Sequence, residues 1–122
     1  MEEISRYNDK NVRIEKVNLV RATMNEAQEI KYNILEDALV FKKIIVDLSD
    51  CEYIDSTFFG ALVYSYKQIK EKGGNIKLVI SNSFMRRTFI LGDIEKVFEV
   101  YDSLREAMNA YKEEEIDLEI KS

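Results

Sequence analysis

Two adjacent hydroxyl residues, Ser56 and Thr57, are the side chains of this sequence best placed for a functional role. They follow Asp55, and the apolar, β-branched run Ile44–Leu48 a few residues upstream is typical of a buried strand. In open α/β sheets, function usually lies just beyond the carboxyl end of a central strand, where a helix begins. The simpler interpretation is that Asp-Ser-Thr caps that helix, since these side chains accept hydrogen bonds from its first backbone N–H groups. Both interpretations place the hydroxyl pair at a helix start.

Several kinds of catalysis are excluded by residues that the sequence lacks. There is no histidine, which removes Ser-His-Asp and Cys-His nucleophilic schemes and the commonest ligand of transition metals. Cys51 is the single cysteine, so neither an intrachain disulfide nor a thiolate zinc site can form. Gly73-Gly74 follows a helix pattern instead of opening one, so it predicts a turn and not a phosphate-binding loop. We therefore expect a protein without catalytic activity, cofactor or metal.

An acidic cluster before the hydroxyl pair invites comparison with phospho-accepting receiver domains. It consists of Asp47, Asp50, Glu52 and Asp55. A receiver domain also needs an acidic pair at the end of its first strand, and the segment from Leu19 to Met24 has none. The receiver interpretation is therefore disfavoured, and we expect Asp50 and Glu52 to be solvated.

The hydroxyl pair lies within a regular alternation of strand and helix patterns. Upstream, strands are predicted at Ile4–Asn8 and Val12–Ala22, the second with a bulge near Glu15. A helix is predicted from an N-cap at Asn25 to about Val40. The helix behind the hydroxyl pair has an apolar stripe formed by Phe59, Leu62, Val63, Tyr66 and Ile69.

Downstream, the alternation continues with strands at Asn75–Ser81 and Val97–Tyr101. A short helix ending at Gly92 lies between them, and a last helix follows with a stripe from Leu104 to Tyr111. Strands that alternate with single helices predict parallel pairing through right-handed crossovers. The predicted fold class is α/β, a single domain with a mostly parallel or mixed sheet of four to five strands and about four helices.

With 122 residues, 46% of them hydrophobic and 34% charged, the chain is expected to form one soluble globular domain. We place this domain at residues 1–112 and interpret residues 113–122 as an acidic C-terminal tail. The net charge of −5 argues against direct nucleic-acid binding, which requires clustered Lys and Arg. No apolar run approaches the roughly 18 residues of a membrane span, and the first residues lack the layout of a signal peptide. We expect a cytoplasmic protein that is not bound to a membrane.

The segment that carries the hydroxyl pair resembles a known family signature. A strand reading I-V-D-L-S is followed by D-S-T-x-x-G-x-L, in which the glycine is Gly60. This is similar to the signature of the STAS fold, specifically of the bacterial anti-sigma factor antagonists. The wider pattern of strand, helix, Gly-Gly turn and next strand matches in order from about Val12 to Tyr111, so the resemblance covers most of the chain.

The resemblance implies a phosphorylation-switched binding module instead of an enzyme. In the family, a partner kinase phosphorylates the hydroxyl residue directly after the aspartate, which corresponds to Ser56. The unphosphorylated protein would bind an anti-sigma factor with serine kinase activity and so release a sigma factor for transcription. Phosphorylation would break that complex, and a Ser/Thr phosphatase would restore it. The residues implied in partner binding are Asp55, Ser56, Thr57, Phe58, Gly60 and Asn25.

Two departures from the family pattern concern this surface. Relatives usually have a glycine where this chain has Phe58; we expect Phe59 in the core and Phe58 either over loop backbone or in contact with the partner. Relatives also carry a Gly-x-hydrophobic-Asp segment before the first helix. This chain has no such glycine, and Asn25 either replaces the aspartate or simply caps the helix.

Two alternatives stay open at this point. One is a STAS-type scaffold in a signalling assembly, in which Ser56 is never modified. The other is a small α/β nucleotide-binding protein, against which stand the missing histidine and the missing glycine-rich phosphate loop.

Overall fold

The computed structural model describes residues 2–91 and 96–121 of the chain. The strands are β1 (Ile4–Asp9), β2 (Val12–Val17), β3 (Arg21–Ala22), β4 (Lys43–Asp47), β5 (Tyr53–Ile54), β6 (Asn75–Val79) and β7 (Glu99–Tyr101). The helices are α1 (Met24–Asp37), α2 (Ser56–Lys70), α3 (Ser83–Leu91) and α4 (Leu104–Lys121).

Five of these strands form one mixed sheet in the order β1-β2-β4-β6-β7. Strand β1 pairs antiparallel with β2, and every other neighbouring pair is parallel and is joined through a helix. Strands β3 and β5 form a separate parallel ladder of two residues each. The prediction of a single α/β domain with a mixed sheet is therefore confirmed.

The two faces of the sheet are covered unequally. Helices α1 and α2 pack on one face and bury the larger core, in which Val46 of β4 and Leu78 of β6 are fully buried. Because side chains alternate along a strand, Ile45 and Val79 point to the opposite face, where they form a smaller core with Tyr111 of α4.

Two edges of the sheet, named here by the direction of β4 and β6, organise the surface. Helices α1 and α2 begin at the carboxyl edge, where these strands end, and finish at the amino edge, where the strands start. Helix α4 runs in the same direction. The Tyr111 hydroxyl reaches the amino edge and donates to the carbonyl oxygens of Ile44, at 2.8 Å, and Asn75, at 3.0 Å.

A buried cluster of charges holds the end of α1 near the amino edge. Asp37 accepts hydrogen bonds from Arg6 at 2.6 Å and Arg13 at 3.0 Å, and Glu15 accepts one from Asn33 at 3.0 Å. Glu15 and Asp37 are both buried, and Arg6 Nε lies 3.3 Å from Glu15 Oε2. Within the described residues, neither this oxygen nor Asp37 Oδ2 accepts a hydrogen bond. Burial and the hydrogen bond shared with Asp37 raise the pKa of Glu15 to about 9. A proton shared between the two carboxyls therefore completes the cluster at neutral pH.

Lys77 of β6 is fully buried on the face that α4 covers. Its Nζ donates to Glu99 and Glu114, each at 2.7 Å, and to the Tyr101 hydroxyl at 3.3 Å. Burial alone would lower the pKa of Lys77, but the hydrogen bonds to Glu114 and Glu99 outweigh it and raise that pKa above its usual value. The lysine is a charged anchor that ties α4 to the sheet.

The structure corrects several of the predicted element limits. The pattern interpreted as one strand at Val12–Ala22 is two strands, β2 and β3, and β2 pairs without a bulge. Residues 113–121, interpreted as a tail, continue α4 as regular helix. The domain boundary at residue 112 stays a prediction, and the predicted helix end at Gly92 lies outside the described residues.

Candidate functional site

Ser56 is the first residue of α2, and it is exposed at the carboxyl edge. The side chain that caps this helix belongs to Asp55, whose Oδ1 accepts a hydrogen bond from the Phe58 N–H at 2.8 Å. Thr57 is also exposed, and neither hydroxyl makes a side-chain hydrogen bond within the part of the chain that the structure describes. The capping interpretation therefore holds for Asp55 and not for Ser56 or Thr57.

Asp55 also joins the start of α2 to the start of α1. Its second oxygen, Oδ2, accepts a hydrogen bond from the Met24 N–H at 2.8 Å. Met24 is the first residue of α1, so one carboxylate satisfies free N–H groups of two helices at once. This arrangement fixes the backbone around Ser56 without using the Ser56 hydroxyl.

The N-cap of α1 is Thr23. The prediction from the sequence, which placed the N-cap at Asn25, is wrong. Thr23 accepts a hydrogen bond from the Asn25 N–H, and the Glu26 carboxylate accepts one from the Thr23 N–H at 2.9 Å, which is a capping box. Asn25 is exposed in the first turn of α1. The hydrogen bond between Met24 and Asp55 nevertheless brings this turn next to the start of α2, so Asn25 lies at the same edge as Ser56.

The chain leading into Ser56 is held by backbone hydrogen bonds. The ladder of β3 and β5 sets Arg21 opposite Tyr53, and the Asp55 N–H donates to the Ala22 carbonyl at 3.1 Å. The Arg21 guanidinium lies 4.3 Å above the Tyr53 ring, a cation–π contact at the surface. Ser56 is therefore presented on a well-supported segment.

Phe58, expected at the edge of the apolar stripe, lies in the core, and Phe59, expected in the core, packs against it partly buried. Phe58 is fully buried in the core, whereas Phe59 is half-buried and meets the Phe98 ring edge-on at 6.0 Å between centroids. The expectation that Phe58 contacts a partner is thus wrong, because its side chain has no exposed surface.

Gly60 lies one turn after Ser56 on the same side of α2 and is exposed. A Cβ built at this position would lie more than 4 Å from every atom of the described residues, apart from its chain neighbours and the adjacent helix backbone. Glycine is therefore not required there by crowding within the chain, and its effect is to leave the helix surface beside Ser56 flat.

No pattern in the sequence indicated the apolar surface at this edge. Large side chains whose hydropathy suggests a buried position are exposed there instead, with exposures of 57% for Val20, 66% for Met24, 43% for Tyr53 and 73% for Phe84. Their positions follow from the topology, since each lies in a segment at the carboxyl edge. Single exposed apolar residues are common, but four at one edge indicate a contact surface.

Two residues of the acidic cluster, Asp47 and Asp50, make polar contacts within the domain. Asp47 accepts a hydrogen bond from the Ser49 N–H at 3.0 Å, and Lys16 lies 3.7 Å from Asp47 and 3.2 Å from Asp50.

Within residues 2–91 and 96–121, no group of three or more His, Cys, Asp or Glu side chains is placed to hold a metal ion. Burial raises the pKa of the Cys51 thiol to about 12, so it stays protonated at neutral pH. No helix in these residues has the length and hydropathy of a membrane span.

Comparison with known proteins gives a family for this architecture. The family model described as the STAS domain matches residues 6–107. A Thermotoga maritima protein, named provisionally as an anti-sigma factor antagonist, is 37% identical over 68 residues, which are 56% of this chain. The match spans 60% of that relative's length.

Solved structures agree. A crystal structure of a Thermotoga maritima protein with the same provisional name is similar at a TM-score of 0.75 and 26% identity, covering 88% of this chain and 92% of the other. The Bacillus cell fate determinant SpoIIAA, in its phosphorylated form, has a TM-score of 0.67 at 13% identity, covering 88% of this chain and 98% of the other. That second likeness concerns the fold alone. The match over residues 6–107, on the same architecture, shows that this chain belongs to the STAS domain family.

Proposed function

We propose that this chain is an anti-sigma factor antagonist whose partner binding is switched by phosphorylation of Ser56. In the unphosphorylated state, the carboxyl edge around Asp55, Ser56, Thr57, Gly60 and Asn25 binds an anti-sigma factor that is itself a serine kinase. Binding releases the sigma factor for transcription, phosphate transfer to Ser56 ends the complex, and a Ser/Thr phosphatase restores it. The protein contributes a surface and an acceptor, and the partner contributes the catalysis.

The observation that carries this proposal is the division of labour between Asp55 and Ser56. Asp55 makes the hydrogen bonds that hold the two helix starts, and Ser56 is left exposed. A hydroxyl that does not hold the fold can be modified without dismantling it. Relatives named as anti-sigma factor antagonists, and the existence of a phosphorylated form of SpoIIAA, support the same assignment.

Magnitudes indicate where the switch acts. A phosphoryl group adds about −1.5 to −2 charge, and at a helix start it gains about 0.3–1 kcal/mol from the dipole and the free N–H groups. Repulsion from the adjacent Asp55 carboxylate offsets part of this gain. Against a partner surface that fits a neutral hydroxyl, the same charge costs several kcal/mol through desolvation and like-charge contact. We therefore expect the fold to persist and the interface to fail.

The exposed apolar residues at the carboxyl edge supply the attractive part of the proposed interface. Met24 and Phe84 are the most exposed of them, at 66% and 73%. Aromatic and Met side chains are enriched in many protein interfaces, where they remove large apolar areas from water. The phosphate then needs only to oppose a contact that these residues make.

The test is phosphate transfer followed by binding. The purified chain is incubated with ATP and the serine kinases encoded in the same genome, and mass spectrometry maps the phosphate. We expect transfer to Ser56, no transfer to Ser56→Ala, and unchanged transfer to the matched control Thr57→Ala. The phosphorylated chain is expected to bind the anti-sigma factor at least about 100-fold more weakly than the unmodified chain.

Two outcomes would contradict the proposal. Phosphate on Thr57 with Ser56 unmodified would move the switch to the neighbouring hydroxyl. Binding of a partner with equal affinity before and after phosphorylation would favour a STAS scaffold that is not switched at this residue.

A further inference from the structure

The amino edge, opposite Ser56, carries a second apolar surface that the proposed switch does not use. Immediately after α1, Leu39 and Val40 are 80% and 78% exposed. In the last turns of α4, Ile116, Leu118 and Ile120 are 44%, 69% and 78% exposed. Leaving five large apolar side chains in water at one end of a small domain is unfavourable, so this edge is suited to contact with another surface.

The topology places both groups at the same edge. Residues 38–42 lead directly from α1 into β4, and the Asn75 N–H at the start of β6 donates to the Lys42 carbonyl at 2.9 Å. Helix α4 reaches this edge at Tyr111, which bonds the carbonyls of Ile44 and Asn75. The ten residues from 112 to 121 then continue for about 15 Å past Tyr111, and every one of them is exposed. We call this segment the α4 extension.

The first turn of the α4 extension is fixed in direction. Glu114 bonds Lys77, and Glu115 accepts from Lys43 at 3.0 Å and from Asn11 at 3.1 Å. The residues of the last turns, from Ile116 to Lys121, are all exposed. The α4 extension is therefore a rigid helical arm that projects from the domain.

The two surfaces carry opposite charge. The α4 extension has five acidic residues against Lys112 and Lys121: Glu113, Glu114, Glu115, Asp117 and Glu119. The second surface, formed by α1, α2 and the segments that follow them, has an excess of lysine: Lys31, Lys42, Lys67, Lys70 and Lys72 against Glu36 and Glu71. Glu36 is already paired with Arg6 at 2.9 Å. Those five lysines form no ion pair with a carboxylate among the described residues.

A groove lies on this surface, between α1 and α2. It is a cavity of about 230 Å³, lined by Leu35, Leu39, Tyr64 and Lys72 among others. Lys72 is one of the lining residues, and the Lys42 Nζ lies 3.5 Å from the Lys72 carbonyl oxygen. An acidic helix with exposed Ile and Leu matches such a groove in both hydropathy and charge.

We propose that the α4 extension of one copy of this chain docks into the α1–α2 groove of a second copy. The extension and the groove of a single chain lie at the same edge but on opposite faces of the sheet, so the arm of each copy enters the groove of the other. Two identical contacts then close the assembly as a symmetric dimer, and no open filament forms. The carboxyl edge of each copy stays free, so the dimer presents two Ser56 surfaces that point away from each other.

The experiment measures self-association of the full chain and of charge-reversal variants. Sedimentation equilibrium is recorded from about 1 μM to about 1 mM, a range that covers weak dimers. The first variant, Lys42→Glu/Lys72→Glu, reverses the charge of two lysines at the groove. The second, Glu113→Lys/Asp117→Lys, reverses the charge of two acidic residues one turn apart on the α4 extension. All four side chains are exposed, so far-UV circular dichroism and melting curves are expected to match those of the wild type.

We expect each variant alone to raise the dimer dissociation constant at least about tenfold, because groove and arm then carry the same charge. An equimolar mixture of the two variants is expected to recover wild-type association. In the mixed dimer, the reversed groove meets the reversed arm, and the native groove meets the native arm. The control Arg87→Glu/Arg105→Glu makes the same change in net charge as the groove variant, away from this edge, and we expect it to associate as the wild type does.

Three results would overturn the proposal. The first is a wild-type chain that stays monomeric over the whole concentration range. The second is a dimer that neither variant weakens, or that the control weakens equally. The third is a mixture that fails to recover association, since only contact between groove and arm predicts that rescue.

Discussion

Helix α1 spans the molecule from edge to edge, and carboxylates in contrasting settings hold its two ends. At the carboxyl edge, half-buried Asp55 accepts hydrogen bonds from backbone N–H groups of α1 and α2. Near the amino edge, buried Asp37 lies among Arg6, Arg13 and Glu15. The first arrangement satisfies groups that any helix start leaves free, and it keeps neighbouring side chains exposed. The second buries charge and must be completed by a proton, so it links the fold to pH.

The largest expected effect is a dependence of folding stability on pH, which arises in the second setting, where Glu15 lies beside Asp37. The pKa of Glu15 is about 9 in the folded chain, against an ordinary value of 4.5. Between these values the folded state keeps a proton that the unfolded chain has lost, so stability falls as pH rises through this window, by up to about 1.4 kcal/mol per pH unit. Below and above the window, this contribution is constant.

The variant Glu15→Gln tests this, because an amide can donate to Asp37 as the protonated carboxyl does. Urea unfolding at a series of pH values from 5 to 9 gives the free energy of unfolding of the wild type and of the variant as a function of pH. We expect the variant to lose stability much less steeply and to equal or exceed the wild type near pH 8. Parallel curves for the two proteins would show that Glu15 does not hold the proton.

Removal of Asp55 is expected to produce the next largest effect. The change Asp55→Ala removes the cap of α2 and leaves the Met24 N–H without its acceptor. The loss of a cap costs about 0.5–2 kcal/mol, and a freed N–H adds about 1–3 kcal/mol where water does not replace the acceptor. We expect a combined loss of about 2–4 kcal/mol in chemical denaturation. A loss below about 1 kcal/mol would show that water takes over both N–H groups.

A smaller effect is expected from the neutral hydrogen bonds at the amino edge. Tyr111→Phe keeps the buried ring and removes the hydroxyl that bonds the carbonyls of Ile44 and Asn75. We expect a loss of about 1–2 kcal/mol in unfolding free energy. Hydrogen exchange of α4 amides is expected to speed up more than that of α1 amides, and equal acceleration in both helices would place the effect in the whole domain.

The smallest effect on stability is expected at Ser56, where the effect on function is greatest. Because Asp55 supplies the cap, Ser56→Ala should change the unfolding free energy by less than about 0.5 kcal/mol. Ser56→Asp adds a negative charge at a helix start and should be at least as stable. In binding titrations, Ala should keep the affinity of the unmodified chain for the anti-sigma factor and Asp should lose most of it. Equal affinities for the two variants would separate Ser56 from the interface.

The local parts of this structure could be predicted from the sequence, and the contacts between distant segments could not. The start of a helix at Asp55–Ser56 follows from capping residues ahead of an apolar period, which are both local signals. The bond from Asp55 to Met24 depends on α1 and α2 beginning side by side, and no local pattern reports that. Thr23 was predictable, since Thr-x-x-Glu at Thr23 and Glu26 is a capping-box signature that outranks Asn25.

The difference between the predicted and the observed stripe of α2 has a specific cause. The buried positions of α2 include Phe58, Leu62, Ser65, Tyr66 and Ile69, which are as periodic as the stripe predicted through Phe59. Ser65 is polar, so hydropathy does not indicate that it belongs to the buried stripe. Its hydroxyl donates to the Ala61 carbonyl within the helix at 2.8 Å. Leu62, Tyr66 and Ile69 belong to both stripes, and hydropathy alone favoured the partly buried Phe59 and Val63 over Phe58 and Ser65.

Lys77 provides a chemical reporter of whether α4 is seated on the sheet. Its amine is charged, fully buried and bonded to Glu99 and Glu114, so an amine-reactive reagent meets neither a free lone pair nor an open path to it. The surface lysines of the same chain are labelled at once and serve as internal standards. Acylation of Lys77, read by mass spectrometry against those lysines, would thus measure how often the helix lifts away.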